Sequence, residues 1–162
     1  MSGVRKTIRR RRQEGKTDYK ARLAFLKSEK PRLVVRKTNR YIIAQLVVSH
    51  IAQDKVVYSV MSKDLLSKGW PESLSGSLKS KAAAYLTGLM LGNKAKAKYK
   101  EAILDFGMHR NVKKSRIYAA IKGFIDSGIK VPCSEDVLPS KEEISDSNEK
   151  TAEIITKLEK SV

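Results

Sequence analysis

Cysteine occurs once, at position 133, in a chain of 162 residues. That excludes an internal disulfide and a zinc site built on several cysteines. No apolar run approaches the roughly 20 residues that a membrane span needs. A basic run lies near the N-terminus, but no apolar segment follows it, so it does not read as a secretory signal. Histidine occurs only at positions 50 and 109, with no partner motif around either. Gly92-Asn93-Lys94 lacks the spacing of a phosphate-binding P-loop. Asp105-Phe106-Gly107 repeats a kinase triplet by letters, without the Gly-rich loop and catalytic loop that would give it meaning. Asp64, Asp105 and Asp126 are not brought together by any spacing. The sequence therefore predicts no enzyme, no cofactor and no metal.

Acidic residues are also scarce. There are 17 Asp+Glu against 34 Lys+Arg, a net charge of +17, and the pI is about 10.0. A folded protein with this excess repels itself unless it meets a polyanion. Nucleic acid is the usual partner and an acidic membrane surface the weaker one. The excess is uneven. Residues 1–40 carry 15 Lys/Arg and 3 Asp/Glu, residues 41–134 carry 15 and 6, and residues 135–162 carry 4 and 8. The acidic end should stay off the nucleic acid. With 41% hydrophobic residues the body is able to bury a core, and the length fits one domain with tails.

The chain is organised around Arg32 to Val48, RLVVRKTNRYIIAQLVV. Val and Ile are dense and Gly and Pro absent, which predicts two strands joined by a polar turn. A turn at Thr38-Asn39 pairs Lys37 with Arg40, Arg36 with Tyr41, Leu33 with Ala44 and Arg32 with Gln45. Side chains alternate faces along a strand. Leu33, Val35, Ile42, Ala44 and Leu46 then make a core face. Arg32, Arg36, Tyr41 and Gln45 make an outer face of cations and an amide beside an aromatic. Such a face suits phosphate contact and base stacking, although it also describes an ordinary solvated sheet face.

Other stretches fall into place around this one. Arg5 to Arg12, RKTIRRRR, is too charged to fold alone. An arm that orders on phosphates, a targeting signal and a solubilising tail share this composition; the basic body behind it favours the arm. Thr17-Asp18 caps a helix from Tyr19 to Ser28, with Leu23, Phe25 and Leu26 as its apolar stripe. A third strand is predicted over Val56–Val60. Lys63–Trp70 is a short helix or loop, with Trp70 a packing anchor. Ser75–Leu91 reads as a helix with Leu78, Ala82, Tyr85, Leu86, Leu89 and Met90 on one face, stopped by Gly92-Asn93. Ala102–Phe106 reads as a central strand. After a basic loop at 107–114, a helix over 115–127 buries Ile117, Ala120, Ile121, Phe124 and Ile125 and ends at Gly128. Ser140 to Lys160 reads as a surface helix bearing Ile144, Ile154, Ile155 and Leu158, or as a disordered tail. The fold class is a single α/β domain, a mixed β-sheet packed with α-helices. It is divided into a basic arm (1–16), a domain (17–134) and an acidic tail (135–162).

Several pieces carry a resemblance. They are RRRRQEGKTDYKARLAFLKSEKPRLVVRKTNRYIIAQLV at 9–47, SKDLLSKGW at 62–70, AAAYLTGLMLG at 82–92, EAILDFGM at 101–108 and SRIYAAIKGFIDSGIKVP at 115–132. In this order they resemble the archaeal type of large-subunit ribosomal protein eighteen, the universal 5S rRNA binder. The resemblance implies the same architecture and an arm that threads into ribosomal RNA. It also implies docking of 5S rRNA onto the large-subunit rRNA beside large-subunit ribosomal protein five and other large-subunit proteins. Cys133 follows Pro132 where the family commonly has His, so a packing role is assigned to it. The RNA-facing set is Arg5, Lys6, Arg9, Arg10, Arg11, Arg12 and Lys16 from the arm, and Tyr19 and Arg22 from the first helix. The hairpin adds Arg32, Arg36, Lys37, Asn39, Arg40, Tyr41 and Gln45, and Lys63 and Arg116 complete it. A DNA-binding or chromatin protein would share the charge, but no helix-turn-helix, zinc finger or basic zipper is present.

Overall fold

The structure is a computed structural model that describes residues 7–145 and 149–161. Arg5 and Lys6 of the expected RNA-facing set lie outside the described residues. A single helical turn, α1 (Arg10–Gln13), precedes α2 (Tyr19–Lys27). Asp18 opens α2 as the sequence predicts, its carboxylate accepting from the Lys20 and Ala21 N–H groups at 2.9 and 3.2 Å. That satisfies two of the donors every helix start leaves over. Neither helix buries a residue. Leu23, expected to pack, is 54% exposed, while Arg22 ties α2 to Asp54 at 2.9 Å.

Pro31 turns the chain into β1 (Arg32–Lys37), which pairs antiparallel with β2 (Ile42–His50); β2 pairs antiparallel with β3 (Gln53–Met61). A fourth strand, β4 (Ile103–Asp105), lies parallel to β1, giving the order β3-β2-β1-β4. The mixed sheet is the expected one, but β4 is an edge strand of three residues rather than a central one. The third strand also begins earlier than the predicted Val56, at Gln53, so the β2–β3 connection is short. It is a two-residue turn at Ile51-Ala52, both at positive φ (47° and 61°). This is the hairpin geometry usually marked by Asn-Gly, and here no glycine signals it.

Leu33, Val35, Ile42, Ala44, Leu46 and Val60 form a fully buried face. Two helices, α3 (Lys81–Ala95) and α4 (Arg116–Asp126), pack on it. The sequence starts α3 at Ser75 and stops it at Gly92-Asn93. The structure begins it later, after a separate 3-10 turn over Glu72–Ser77, where Ser80 Oγ accepts from the Ala83 N–H at 3.2 Å. It runs through Gly92 to Ala95. The glycine is not a stop but a crossing point. A Cβ on Gly92 would strike the Ser127 side chain, one on Gly88 the Ala120 carbonyl, and one on Gly123 the Tyr85 carbonyl. Three missing side chains let the backbones of α3 and α4 approach closely. Trp70 is buried and its Nε1–H donates to the Leu74 carbonyl at 3.1 Å, a packing anchor as expected. Gly128 ends α4 at φ 103°.

The stretch read as an acidic tail returns to the core. Ser140 caps α5 (Lys141–Ile144) with a reciprocal Glu143 bond, and α6 (Glu149–Ser161) follows. Both contact α3. Ile144 and Leu158 are buried, each contributing roughly 1.5–3 kcal/mol of apolar burial. α3 is therefore covered by the sheet, by α4 and by the C-terminal helices, which explains why nearly every face of it is apolar. Cys133 is half-buried against the same core, and burial pushes its thiol pKa up.

Candidate nucleic-acid interface

The hairpin faces agree with the sequence reading, but the register does not. Lys37 pairs with Ile42, Arg36 with Ile43 and Val35 with Ala44, so the loop is four residues, Thr38 to Tyr41. Thr38 closes it: its N–H and hydroxyl both donate to the Tyr41 carbonyl, at 2.9 and 2.8 Å, and its Oγ1 accepts from the Tyr41 N–H at 2.9 Å. The pairing is displaced by two residues, and a displacement of two keeps every side chain on its face. Tyr41 consequently leaves the strand. It sits in the loop, half-buried against the core, not beside Arg36.

The outer face is wired inward. Arg32, expected to meet RNA, has a side chain only 5% exposed. Its guanidinium reaches Asp54 at 2.7 Å, Asp105 at 3.3 Å and Ser49 Oγ at 3.1 Å. Arg36 donates to the Asp105 carboxylate at 2.9 Å and the Asp105 carbonyl at 2.7 Å. Arg22 holds the other Asp54 oxygen at 2.9 Å. Burial pushes the Asp54 carboxyl up, but hydrogen bonds from Ser49, Arg22 and Arg32 outweigh it and hold the pKa at about 2. A cation this enclosed has no room for a phosphate, so Arg32 is a structural residue, and Arg22 and Arg36 are partly committed to the same network. Asp105 also accepts from the Gly107 N–H at 2.9 Å. Gly107 lies at φ 61°, and a Cβ there would press on the Arg36 guanidinium at 3.0 Å. The Asp-Phe-Gly letters therefore record a cation clasp.

The cations left facing outward gather around this network. Lys37 at the end of β1, and Asn39 and Arg40 in the β1–β2 loop, are exposed, and among the described residues their side chains have no hydrogen-bond or ion-pair partner. Lys63 is likewise exposed just after β3. Gln45 is tied to Ser59 Oγ at 3.2 Å. The basic loop at 107–114 is held beside the hairpin because His109 Nε2 accepts from the Lys37 N–H at 3.2 Å. Burial, with Arg36 and Lys37 nearby, holds the His109 pKa below its ordinary value. His109 and Arg110 are site residues that sequence reasoning missed. The basic character of the loop was the available signal, but nothing local tied it to the hairpin. Arg116 is exposed at the first position of α4.

The arm forms a second cluster. Arg9 lies over the Tyr19 ring at 4.6 Å from its centroid, a cation–π contact. Arg11 Nε donates to Thr17 Oγ1 at 2.9 Å, Lys16 pairs with Glu14 at 2.8 Å, and Arg10 reaches Glu14 at 3.8 Å. Arg12 is exposed. Ion pairs this exposed are worth little and exchange readily for phosphate. Among the described residues no group of three His, Cys, Asp or Glu side chains is placed to hold a metal ion, and no helix is long and apolar enough to cross a membrane.

A family profile described as ribosomal large subunit proteins 60S L5 and 50S L18 matches residues 5–102, more than half of the chain. The chain is 51% identical over 144 residues to large ribosomal subunit protein uL18 of Korarchaeum cryptofilum, covering 88% of this chain and 72% of that protein. It is 43% identical over 157 residues to the uL18 of Methanoculleus marisnigri, covering 93% and 87%. With the uL18 of Methanothrix thermoacetophila it shares 45% identity over 136 residues, covering 83% and 78%.

Proposed function

The chain belongs to the family of large-subunit ribosomal proteins 60S L5 and 50S L18, a structural constituent of the cytoplasmic ribosome and not an enzyme, and on that premise we propose that it binds 5S rRNA and helps fasten it to the large-subunit rRNA. The observation that carries the finer reading is the sorting of cations. Those at the centre of the sheet's outer face are clasped by Asp54 and Asp105, while those of the arm, the β1–β2 loop and the 107–114 loop point outward. The clasp makes a rigid platform and the outer ring makes the contacts.

The mechanism is cohesion. Two RNA segments that approach each other repel through their phosphates, and cations between them remove that cost. A folded body adds geometry. The contact set is Arg5, Lys6, Arg9, Arg10, Arg11, Arg12, Lys16 and Tyr19 from the arm and α2, and Lys37, Asn39, Arg40, Lys63 and Arg116 from the body. Tyr41 and Gln45 border it, and Arg22 and Arg36 contribute from its inner margin. Backbone and shape recognition of this kind suits folded RNA better than the major groove of DNA. Large-subunit ribosomal protein five is the expected neighbour.

Competition between 5S rRNA and duplex DNA at matched salt tests this reading. The RNA should win. If about 6–10 phosphates are neutralised, RNA affinity should fall roughly 10³–10⁵-fold between 50 and 200 mM salt. Equal competition by DNA, or a flat salt response, would refute it.

A further inference from the structure

Between β4 and α4 the chain runs through residues 107–114 without helix or strand. This loop carries Arg110, Lys113 and Lys114. Its apolar residues, Met108 and Val112, are exposed, so apolar burial does not hold it in place. We propose that Tyr118 is a positioning residue for rRNA binding: through Asn111 it holds the loop so that Arg110 is presented, already ordered, to a phosphate. The inference rests on the RNA-binding reading above and deepens it.

The loop is tied by polar contacts to four separate parts of the fold. The Gly107 N–H donates to the Asp105 carboxylate of β4 at 2.9 Å. His109 Nε2 accepts from the Lys37 N–H of β1 at 3.2 Å. Asn111 Oδ1 accepts from the Tyr118 hydroxyl of α4 at 2.7 Å. The Lys114 N–H donates to the Val137 carbonyl at 2.9 Å, and its ammonium donates to Glu143 of α5 at 2.8 Å. The ties fall at positions 107, 109, 111 and 114. The residues between them are exposed. Among the described residues the side chains of Arg110 and Lys113 have no hydrogen-bond or ion-pair partner. Arg110 is the cation with a tied residue on each side, His109 before it and Asn111 after it.

The two flanking ties differ in what stands behind them. His109 is bonded to the last residue of β1, where the four-residue hairpin loop begins. Tyr118 is the firmer anchor. It is buried, and its ring belongs to the hydrophobic core. It stands on α4, whose backbone is pressed against α3 at the glycine crossings. Packing therefore fixes the ring, and the hydroxyl carries that rigidity to Asn111. A loop ordered before contact spares the complex the entropy of ordering it. A guanidinium on such a backbone has only its own side-chain freedom to lose.

Tyr118→Phe in the full chain removes the hydroxyl and leaves the ring. It should weaken 5S rRNA binding about two- to tenfold, the worth of one hydrogen bond. Amide exchange at residues 108–113 should quicken, while the middle of α4 stays protected. Asn111→Ala should do the same, and the two losses should not add, because both break one contact. Arg110→Gln should lower affinity and reduce the slope of log affinity against log salt by about 1. Tyr118→Phe removes no charge and should leave that slope unchanged. In the Arg110→Gln background Tyr118→Phe should cost no further affinity, since the residue it acts through is gone. Tyr85→Phe measures what a purely structural phenol does. It removes a hydroxyl that donates to Asp126, in the last turn of α4, at 3.1 Å, and should lower stability without changing rRNA affinity. Wild-type rRNA affinity in Tyr118→Phe overturns the positioning role alone. So does an affinity loss that persists in full when Arg110 is already Gln. A wild-type chain that fails to bind 5S rRNA overturns the RNA reading itself, and with it any part for this tie in binding.

Discussion

Replacing Asp105 by Asn removes one negative charge from the centre of the Arg32–Asp105–Arg36 clasp and keeps its shape. Asp105 is 7% exposed and Arg32 is 4% exposed. Breaking a buried pair by removing one partner costs roughly 3–5 kcal/mol, because the remaining charge is left uncompensated. Arg32 still has Asp54 at 2.7 Å, which places the loss near the lower end, about 3 kcal/mol. The Arg36 contribution is small, since that side chain is 36% exposed and exposed pairs are worth about 0–1 kcal/mol. For a chain of this length each kcal/mol moves the melting temperature by about 2–4 °C, so Asp105→Asn should melt about 6–12 °C lower. Urea unfolding should show a lower midpoint with an unchanged slope. The affinity of the folded variant for rRNA should not fall, because no phosphate ligand is removed. Arg32→Met/Asp105→Leu, which replaces the pair with apolar groups, should recover much of the loss. An Asp105→Asn protein that melts like the wild type and binds RNA poorly would refute the clasp and make Asp105 a functional residue.

The α3–α4 crossing gives a second test. Gly88→Ala should cost roughly 1–3 kcal/mol or more by overpacking, measured by urea unfolding, where exposed glycines such as Gly76 should tolerate the same change. A third concerns acid. The Asp54 pKa is depressed from 3.8 to about 2, so its stabilisation is present above pH 3.8 and is lost as the pH falls toward 2. The stability difference between wild type and Asp54→Asn should shrink across that window. Deleting residues 1–12 should leave cooperative unfolding intact, since α1 buries nothing, while weakening rRNA binding and flattening its salt dependence. Finally, Arg40→Gln should lower rRNA affinity without changing stability, whereas Ile42→Ala should lower stability by roughly 2–5 kcal/mol; an exchange of these two phenotypes would overturn the assignment of faces.

What could be read from the chain follows the range of the physics involved. The faces of β1 and β2 were legible because alternation is local, and they survive a register two residues off. The Asp18 cap, the Trp70 anchor and the apolar stripe of α4 are local signals too. Arg32 was not legible. Its charge argues for the surface, and only the return of β4, some 70 positions later, brings Asp105 against it. Gly92 failed for a related reason: a glycine that ends a helix and one that lets another helix in look alike until the partner helix is known. The buried ends of α5 and α6 were hidden by the acidic residues between them, and His109 by the absence of any local partner.

The packing of α5 and α6 on α3 also fixes where Glu142, Glu143 and Glu153 stand. Residues 135–162 carry 8 of the 17 acidic residues, and α5 and α6 contact α3, which packs on the core face of the sheet. The clasp and the β1–β2 loop belong to the opposite, outer face and its end. The folded protein is thus an electric dipole as well as a net cation. In the field of an RNA phosphate backbone a net charge is only attracted, but a dipole is also turned. The molecule should arrive with its arm and hairpin leading, before any contact forms, and association should slow when salt screens that torque.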